Sequence, residues 1–453
     1  MTNDLIRMMH ASPLRLVMAV TGGGSLAISD LLTEPGASQT VLEANIPYAE
    51  AALCEFLAHK PEQYCSEKTA RRMAMSAFAR AVRLSQATAE LPTQATSQTQ
   101  PASKTMPDSH LIGIACTCSL AANHPKRGQH RMHWAVQSVD QTLAGSIVFE
   151  KGRRTRLEEE RLAADVLLAT LTAFAQRCDS GKQGQNQNAL PENWRNVLAQ
   201  ALQNRLRGTE TLSIRSVQAP EGLQELLFGN KTTYRMLPRE QPCTTSNARQ
   251  NVQCELLPPE VSGRVPRFLF PGSFDPIHRG HRRMLEIVRE KFGSQDEVAL
   301  ELVVRNVDKA PLDYIDINER ITAIAQTKGM ADVPVWLTQL PRFADKSDVF
   351  RGVTFVVGTD TLKRIALPQY YNDAIGSANA AVERLIENCC HFLCFARKNQ
   401  CGEIETVETL QTPENLKKIV DYISCEEFCD DISSTQLRQQ GNCGNFPSGS
   451  VTL

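Results

Sequence analysis

The chain has 453 residues, of which 42% are hydrophobic, 49 are basic and 50 are acidic. This length predicts two or three domains with cores of their own, and a net charge of -1 gives no general attraction to nucleic acid or to anionic membranes. We expect no cleavable signal, because the first residues show no charged region followed by a long apolar core, and no membrane span, because no apolar run reaches ~18 to 20 residues. We therefore expect a cytoplasmic protein without membrane or nucleic-acid partners.

The 14 cysteines do not form paired Cys-x-x-Cys spacings, so we predict no zinc site. Two groups leave a metal site open as an alternative because their spacing is close: Cys425 with Cys429, and His124 with His130 and His133.

The first elements in the chain are an apolar strand, Leu16 to Val20, a glycine turn from Thr21 to Ser25, and a helical pattern through Leu31 and Leu32. A glycine turn that opens a helix suits an anion. A tight connection between strand and helix explains the same residues equally well.

Further elements of this half alternate with polar sequence. Residues from about 85 to 108 are rich in Ser, Thr, Gln, Ala and Pro without apolar periodicity, which predicts a mobile insertion. Strands are predicted at 111–118 and 133–137, and a long helix at about 156–176.

Four short motifs of this half are Thr21-Gly-Gly, Pro35-Gly-Ala-Ser38, Ile46-Pro-Tyr48 and Cys65-Ser-Glu67. With the order of the elements, they resemble the C-terminal domain of the competence-damage-inducible CinA family. The resemblance implies a CinA-like α/β domain over residues 1–178, and active members of the family deamidate nicotinamide mononucleotide.

The chain departs from that family next to Tyr48. Active members follow this tyrosine with a serine and, four residues further, a lysine, whereas this chain has Ala49 and Leu53. Alanine and leucine cannot act as nucleophile or activating amine. We therefore predict that this half is a non-catalytic relative that binds a nucleotide, forms a homo-oligomer or regulates. Residual or altered hydrolysis is the alternative, with Thr21 and Ser25 as the remaining hydroxyls.

Residues 179–260 are predicted to be a linker or connector. The polar run from Ser180 to Asn188 predicts a flexible segment, and the helix-like stretch from Trp194 to Leu206 predicts an ordered one. No residue pattern in this stretch indicates chemistry.

The second half opens with a strand, Arg267 to Phe270, which Gly272 and Pro276 end before a helical pattern. His278 and His281 lie at this turn. A helix N-terminus attracts anions through its unpaired N–H groups and its dipole, and both imidazoles can donate to phosphoryl oxygens. Two surface histidines beside a tight turn are the alternative.

A second turn into a helix is predicted at Asp431 to Arg438, with Ser433 or Ser434 as its N-cap. Arg438 follows Ser434 by about one helical turn, so hydroxyl and guanidinium can share one phosphate. An ordinary capped helix with a solvated arginine explains the same pattern.

Between these two turns, an apolar strand from Thr354 ends at Gly358 and Asp360. Ligands bind beyond the carboxyl ends of strands in open parallel sheets, and glycine allows close backbone approach. Asp360 is equally suited to cap the helix that follows.

The string Gly272-Ser-Phe-Asp-Pro-Ile-His-x-Gly-His281 resembles the signature of the nucleotidyltransferase superfamily. Ile432-Ser-Ser-Thr-x-x-Arg438 and Gly358-x-Asp360 resemble further motifs of its nicotinamide and nicotinate mononucleotide adenylyltransferases. The resemblance implies a Rossmann-like parallel-sheet domain over residues 261–453.

The resemblance also implies roles for individual residues. The catalytic residues would be His278, His281 and Arg438. The nucleotide-binding residues would be Gly272, Ser273, Phe274, Gly358, Asp360, Arg397, Ser434 and Thr435. Lys309 and Trp336 would bind the acceptor, although a solvated lysine and a core tryptophan are the alternatives.

Together these patterns predict an adenylyltransferase that joins AMP from ATP to nicotinamide or nicotinate mononucleotide and releases pyrophosphate, with Mg2+ accompanying ATP. Two alternatives stay open: transfer to another phosphorylated acceptor from ATP or CTP, and a nucleotide-binding regulatory protein without catalysis.

Overall fold

The strands and helices of this chain form two mixed α/β units in a computed structural model. It describes residues 2–89, 106–123, 127–180, 205–238, 265–293, 298–305, 311–365, 378–398, 404–405 and 413–428. Among these residues, the first unit contains those up to Asn230 together with 311–315, and the second contains 231–305 and those from Asp316 onward.

The elements of the first unit follow in chain order. They are α1 (Thr2–Ala11), β1 (Arg15–Thr21), α2 (Ser25–Thr33), α3 (Ala37–Thr40), β2 (Val41–Asn45), α4 (Glu50–Leu57), α5 (Glu67–Ala89), β3 (Leu111–Ser119), β4 (His130–Gln137), β5 (Gln141–Phe149), α6 (Arg156–Ser180), β6 (Thr211–Gln218) and α7 (Glu221–Phe228).

The described strands of this unit form one sheet in the order β2-β1-β3-β4-β5-β6. Strand β1 pairs in parallel with β2 and β3, and the pairs from β3 to β6 are antiparallel. Side chains along β1 alternate between two cores, as the pleat of a strand requires. Leu16, Met18 and Val20 pack in the core with α1, α2 and α6, while Val17 and Ala19 pack in the core with α4 and α5.

The elements of the second half are β7 (Thr233–Met236), β8 (Phe268–Pro271), α8 (Arg279–Phe292), β9 (Val298–Val303), α9 (Tyr314–Gln326), β10 (Val335–Thr338), α10 (Phe343–Val349), β11 (Thr354–Gly358), α11 (Thr359–Ile365), α12 (Ala378–Glu387), β12 (His391–Phe395), β13 (Arg397–Lys398), β14 (Ile404–Glu405), α13 (Glu414–Lys417) and β15 (Val420–Ile423). Helix α9 begins with Tyr314 and Ile315, which belong to the first unit.

The larger sheet of the second unit has the order β15-β12-β11-β8-β9-β10-β7. All neighbours are parallel except β10 and β7. The chain runs outward from β8 to β10 and then returns to place β11 beside β8, so the strand order reverses between β8 and β11. This doubly wound arrangement confirms the predicted Rossmann-like α/β fold, and its switch point is the usual ligand crevice.

The structure also assigns parts of the predicted insertion and connector to regular elements. Residues 85–89 continue α5, because Ser-Gln-Ala-Thr-Ala contains no glycine or proline to end the helix. Strand β6 pairs with β5, and β7 pairs with β10, although both lie in the stretch predicted as a connector. Apolar and polar residues alternate in both strands, with Leu212 and Ile214 in β6 and Tyr234 and Met236 in β7, so the strand signal was present in the sequence and was missed.

Candidate nucleotide site

The two motif histidines meet at the first turn of α8, directly after β8. His278 is the N-cap residue with extended backbone, and its N–H donates to Nδ1 of His281 at 3.2 Å. The two imidazole rings stack with their centroids 3.7 Å apart. This reciprocal cap holds both rings together at the positive end of the helix dipole.

The helix start is unusually basic. No acidic residue lies in the first turn of α8, whereas Arg279 and Arg282 flank the histidines. Cations at a helix N-terminus oppose the dipole and cost stability. The helix start nevertheless suits an anion, because its N–H groups and both imidazoles can act on it together, although Nε of Arg282 lies 3.4 Å from Oε1 of Glu286.

The neighbouring residues of the motif build the loop itself. Phe274 is 1% exposed and packs edge-on to Phe270 and against the ring of His281. A Cβ on Gly272 would lie 2.6 Å from the Phe274 ring, and the Gly272 N–H already donates to the carbonyl of Glu301 at 2.9 Å. Glycine is therefore required here by the aromatic side chain.

An arginine from α9 holds this loop. Nη1 of Arg320 donates to the carbonyl of Ser273 at 2.8 Å, and Nη2 lies 3.5 Å from Oδ2 of Asp275. The Arg320 side chain is 10% exposed. Glu319-Arg320 resembles the nucleotidyltransferase family's helix after its second strand, but no role in the site was predicted for Arg320, because 45 residues separate it from Asp275. The available signal was the acidic Asp275 inside the motif, which needs a cation.

The strand register brings the second motif to the same edge. Phe268 pairs with Thr354 and Leu269 with Phe355, so continuation of this register sets Gly358 level with Gly272. Gly358 ends β11 and the exposed Asp360 lies in the first turn of α11. The motifs Gly272–His281 and Gly358-x-Asp360 therefore both lie at the switch point between β8 and β11.

The proposed acceptor residue Trp336 has packing partners. It lies inside β10 rather than at its end, with the ring edge-on to Phe350 at 5.2 Å and the Arg235 guanidinium 5.9 Å from its centroid. Stacking on an acceptor stays a prediction. The backbone of Arg397 lies in β13. Its side chain lies outside the described residues, as do Lys309, Ser434, Thr435 and Arg438.

The glycine turn of the first unit holds an internal carboxylate. Glu160 of α6 accepts hydrogen bonds from the N–H groups of Gly24 and Leu26 at 3.0 and 3.2 Å, and from the Ser25 hydroxyl at 2.9 Å. Gly24 has φ 88, which favours glycine. The anion expected at this turn is therefore supplied by the protein itself.

The positions that depart from the CinA pattern have structural roles. Leu53 is 3% exposed and packs in the core of α4 and α5, and its N–H donates to the carbonyl of Ala49 at 2.9 Å. Burial raises the pKa of the Cys65 thiol, and Sγ of Cys116 donates to the carbonyl of Gly23 at 3.3 Å. The Cys65 thiol is therefore not an activated nucleophile, and absence of deamidation stays a prediction.

With this geometry in place, residues 269–440 match the family model described as cytidylyltransferase-like. Residues 269–440 form a cytidylyltransferase-like domain. The match begins inside β8 and covers all three motifs. It supports a nucleotidyltransferase that acts on nucleotide substrates, which confirms the predicted class of enzyme.

Several solved structures are similar to parts of the chain. A competence/damage-inducible protein of Agrobacterium tumefaciens is 19% identical over 40% of this chain and 96% of its own, with a TM-score of 0.27. The corresponding protein of Enterobacter asburiae is 18% identical over 38% and 98%, with a TM-score of 0.28. A Plasmodium falciparum nicotinic acid mononucleotide adenylyltransferase in complex with NaAD is 18% identical over 38% and 82%, with a TM-score of 0.27.

No curated protein matches the chain in sequence. Within the described ranges, no helix combines the length and apolar character that crossing a bilayer requires. In the same ranges, no three His, Cys, Asp or Glu side chains gather as a metal-binding group around or outside the cytidylyltransferase-like site.

Proposed function

We propose that the cytidylyltransferase-like domain transfers AMP from ATP to nicotinamide or nicotinate mononucleotide. The observation that carries this proposal is the stacked pair His278 and His281 at a basic helix N-terminus, at the point where the strand order reverses. Such a site suits a polyphosphate more than a neutral ligand. The identity of the acceptor rests on the motif resemblance around Gly358 and Arg438.

The proposed reaction needs no covalent enzyme intermediate. A 5′-phosphate oxygen of the acceptor attacks the α-phosphorus of ATP, the bond to the bridging oxygen of the β-phosphate breaks, and pyrophosphate leaves with the electron pair. His278 and His281 would donate hydrogen bonds to the triphosphate oxygens and stabilise the charge that develops on the leaving group. Arg438 would add a bidentate cation.

Magnesium would enter as the complex with ATP. Mg2+ is commonly held by substrate phosphates with only one or two protein carboxylates. When bound, the ion would neutralise phosphate charge.

The test is Mg2+-dependent pyrophosphate release by the full-length protein, with chromatographic identification of the dinucleotide. Each mononucleotide is supplied in turn. We expect His281→Ala to lower kcat by at least about a hundredfold, since it removes a donor to developing charge. His391→Ala is the matched control, because His391 is exposed at the opposite, amino end of β12. Equal turnover in the two variants would contradict the proposed role of His281.

A second candidate follows from the family description, which names cytidylyl transfer. The same assay with CTP replacing ATP, and with a phosphorylated alcohol or phosphopantetheine as acceptor, separates it from adenylyl transfer. ATP binding without any product would instead favour a regulatory protein.

A further inference from the structure

An arginine at the edge of the second unit's larger sheet has no anionic partner among the described residues. Arg235 is half-buried in β7, with its guanidinium carbon 5.9 Å from the centroid of the Trp336 ring. Its Nε is buried and forms no hydrogen bond. By contrast, the half-buried Arg384 of the same unit binds Asp348 through two nitrogens.

Burial at this edge works against the charge of Arg235. It lowers the pKa of the guanidinium, because a cation is less stable where water is partly excluded. Folding therefore leaves a partly desolvated cation without a counterion from the described residues. Such groups are typical of sites where a ligand supplies the missing partner.

The strand register places this arginine level with the motif loop. One row of paired residues crosses four strands: Pro271 in β8, Glu301 in β9, Trp336 in β10 and Arg235 in β7. Pro271 directly precedes Gly272, the first residue of the motif. Three strand spacings of ~4.8 Å separate the two ends of the row, which is about 14 Å. The row therefore leads from the nucleotide loop across the sheet to the unpaired guanidinium.

The other two charges at this row neutralise each other. The Glu301 carboxylate is 0% exposed, accepts a hydrogen bond from the Thr338 hydroxyl at 2.6 Å, and lies 2.5 Å from Nζ of Lys346. Glu301 is therefore not the partner of Arg235, and the buried Lys346 is not available to a ligand. Of these three charges, that of Arg235 is left to bind an anion.

We propose that Arg235 binds an acidic group on the base of the acceptor, so that the transferase prefers nicotinate to nicotinamide mononucleotide. This inference rests on the proposed function above. The acceptor then lies across the carboxyl ends of β9 and β10, with its 5′-phosphate towards the motif loop and its base towards β7. The Trp336 ring holds the guanidinium by a cation–π contact, and the planar fork of N–H donors matches a carboxylate. A carboxamide is neutral, and its NH2 group cannot accept from the fork.

The experiment compares kcat/KM for the two mononucleotides at saturating Mg-ATP in the full-length protein. We expect wild type to prefer the acid by at least about tenfold. Arg235→Met removes the charge and keeps an apolar stem against the Trp336 ring. It should lower kcat/KM for the acid by about thirtyfold, mainly through KM, because the contact lies at the base and not at the reacting phosphate. The value for the amide should change by less than about threefold.

Two further variants separate recognition from packing. Arg267→Met removes another arginine held on an aromatic ring, 5.2 Å from the Phe268 centroid at the amino end of β8, and should leave both acceptors within about twofold of wild type. Arg235→Lys keeps the charge without the fork, so its preference for the acid should lie between those of wild type and Arg235→Met.

Three results would overturn the proposal. They are equal losses for both acceptors in Arg235→Met, equal effects of Arg235→Met and Arg267→Met, and a wild-type preference for the amide. Equal losses would mean that Arg235 binds the shared phosphate or only supports the sheet edge. If Arg235→Met does not fold, Arg235→Lys decides, since an unchanged preference in that variant contradicts recognition by the fork.

This inference and the proposed function fail separately. A wild-type protein that forms no dinucleotide from either mononucleotide refutes the proposed function. Titration calorimetry of the two mononucleotides with Mg2+ and ATP then decides the role of Arg235. Tighter binding of the acid that is lost in Arg235→Met supports the role, whereas equal Kd values or no binding of either mononucleotide overturn it.

Discussion

The internal carboxylate at the glycine turn gives a prediction about stability. Glu160 is 8% exposed, and its two oxygens accept three hydrogen bonds at the N-terminus of α2. Glu160→Gln keeps the shape but replaces one oxygen by an NH2 group, which cannot accept. One charge-assisted hydrogen bond, worth about 1.5 to 3 kcal/mol, and the interaction with the helix dipole, up to about 2 kcal/mol, are lost.

We therefore expect Glu160→Gln to lower the free energy of unfolding of the first unit by about 3 kcal/mol. For a unit of this size, that corresponds to a fall in Tm of about 6 to 12 °C. Calorimetric unfolding of the full-length protein measures it. Glu55→Gln on α4 removes an exposed carboxylate of the same type and serves as the control. A difference between the two variants of less than about 0.5 kcal/mol would refute the reasoning, because this is the range of ordinary surface substitutions.

Two further predictions concern buried charge. Burial, followed by the charge of Arg131, lowers the pKa of His133 to about 4. Between these pH values the unfolded chain binds a proton at His133 that the folded chain does not, so the free energy of unfolding should fall as pH drops from about 6.5 towards 4. In denaturation experiments across this range, His133→Asn should lose less free energy of unfolding than wild type. Parallel curves for the two proteins would contradict the pKa shift. Lys346 pairs with Glu301 at 2.5 Å, with side chains 3% and 0% exposed. Lys346→Met should destabilise the second unit by about 3 to 5 kcal/mol, because it leaves a buried carboxylate unpaired, and adding Glu301→Leu should recover most of the loss in the same denaturation assay.

Elements with strong apolar patterns could be located from the sequence alone. The strands before both motifs and the start of α8 were predicted within a few residues, since a buried parallel strand is a short apolar run that glycine or proline ends. The position of His278 at the helix N-terminus followed from the same pattern. The stacking of the His278 and His281 rings depends on the tertiary structure and was not predictable from this pattern.

The contacts that hold the sites were not predictable from local sequence. Glu160 stands 136 residues from Gly24, and Arg320 stands 45 residues from Asp275. Neither spacing repeats a helical or strand period, so only the tertiary fold pairs these groups. For Trp336 the sequence left acceptor stacking and core packing open; the structure gives the ring packing neighbours, and acceptor stacking stays a prediction.

Strand β7 bears on how the transferase half can be produced by itself. A fragment cut at the predicted boundary near residue 261 would omit Thr233–Met236, the antiparallel partner of β10. The backbone donors and acceptors of β10 would then form an open sheet edge, which invites intermolecular strand pairing and aggregation. Expression of the isolated half should therefore start no later than Lys231, where the second unit begins.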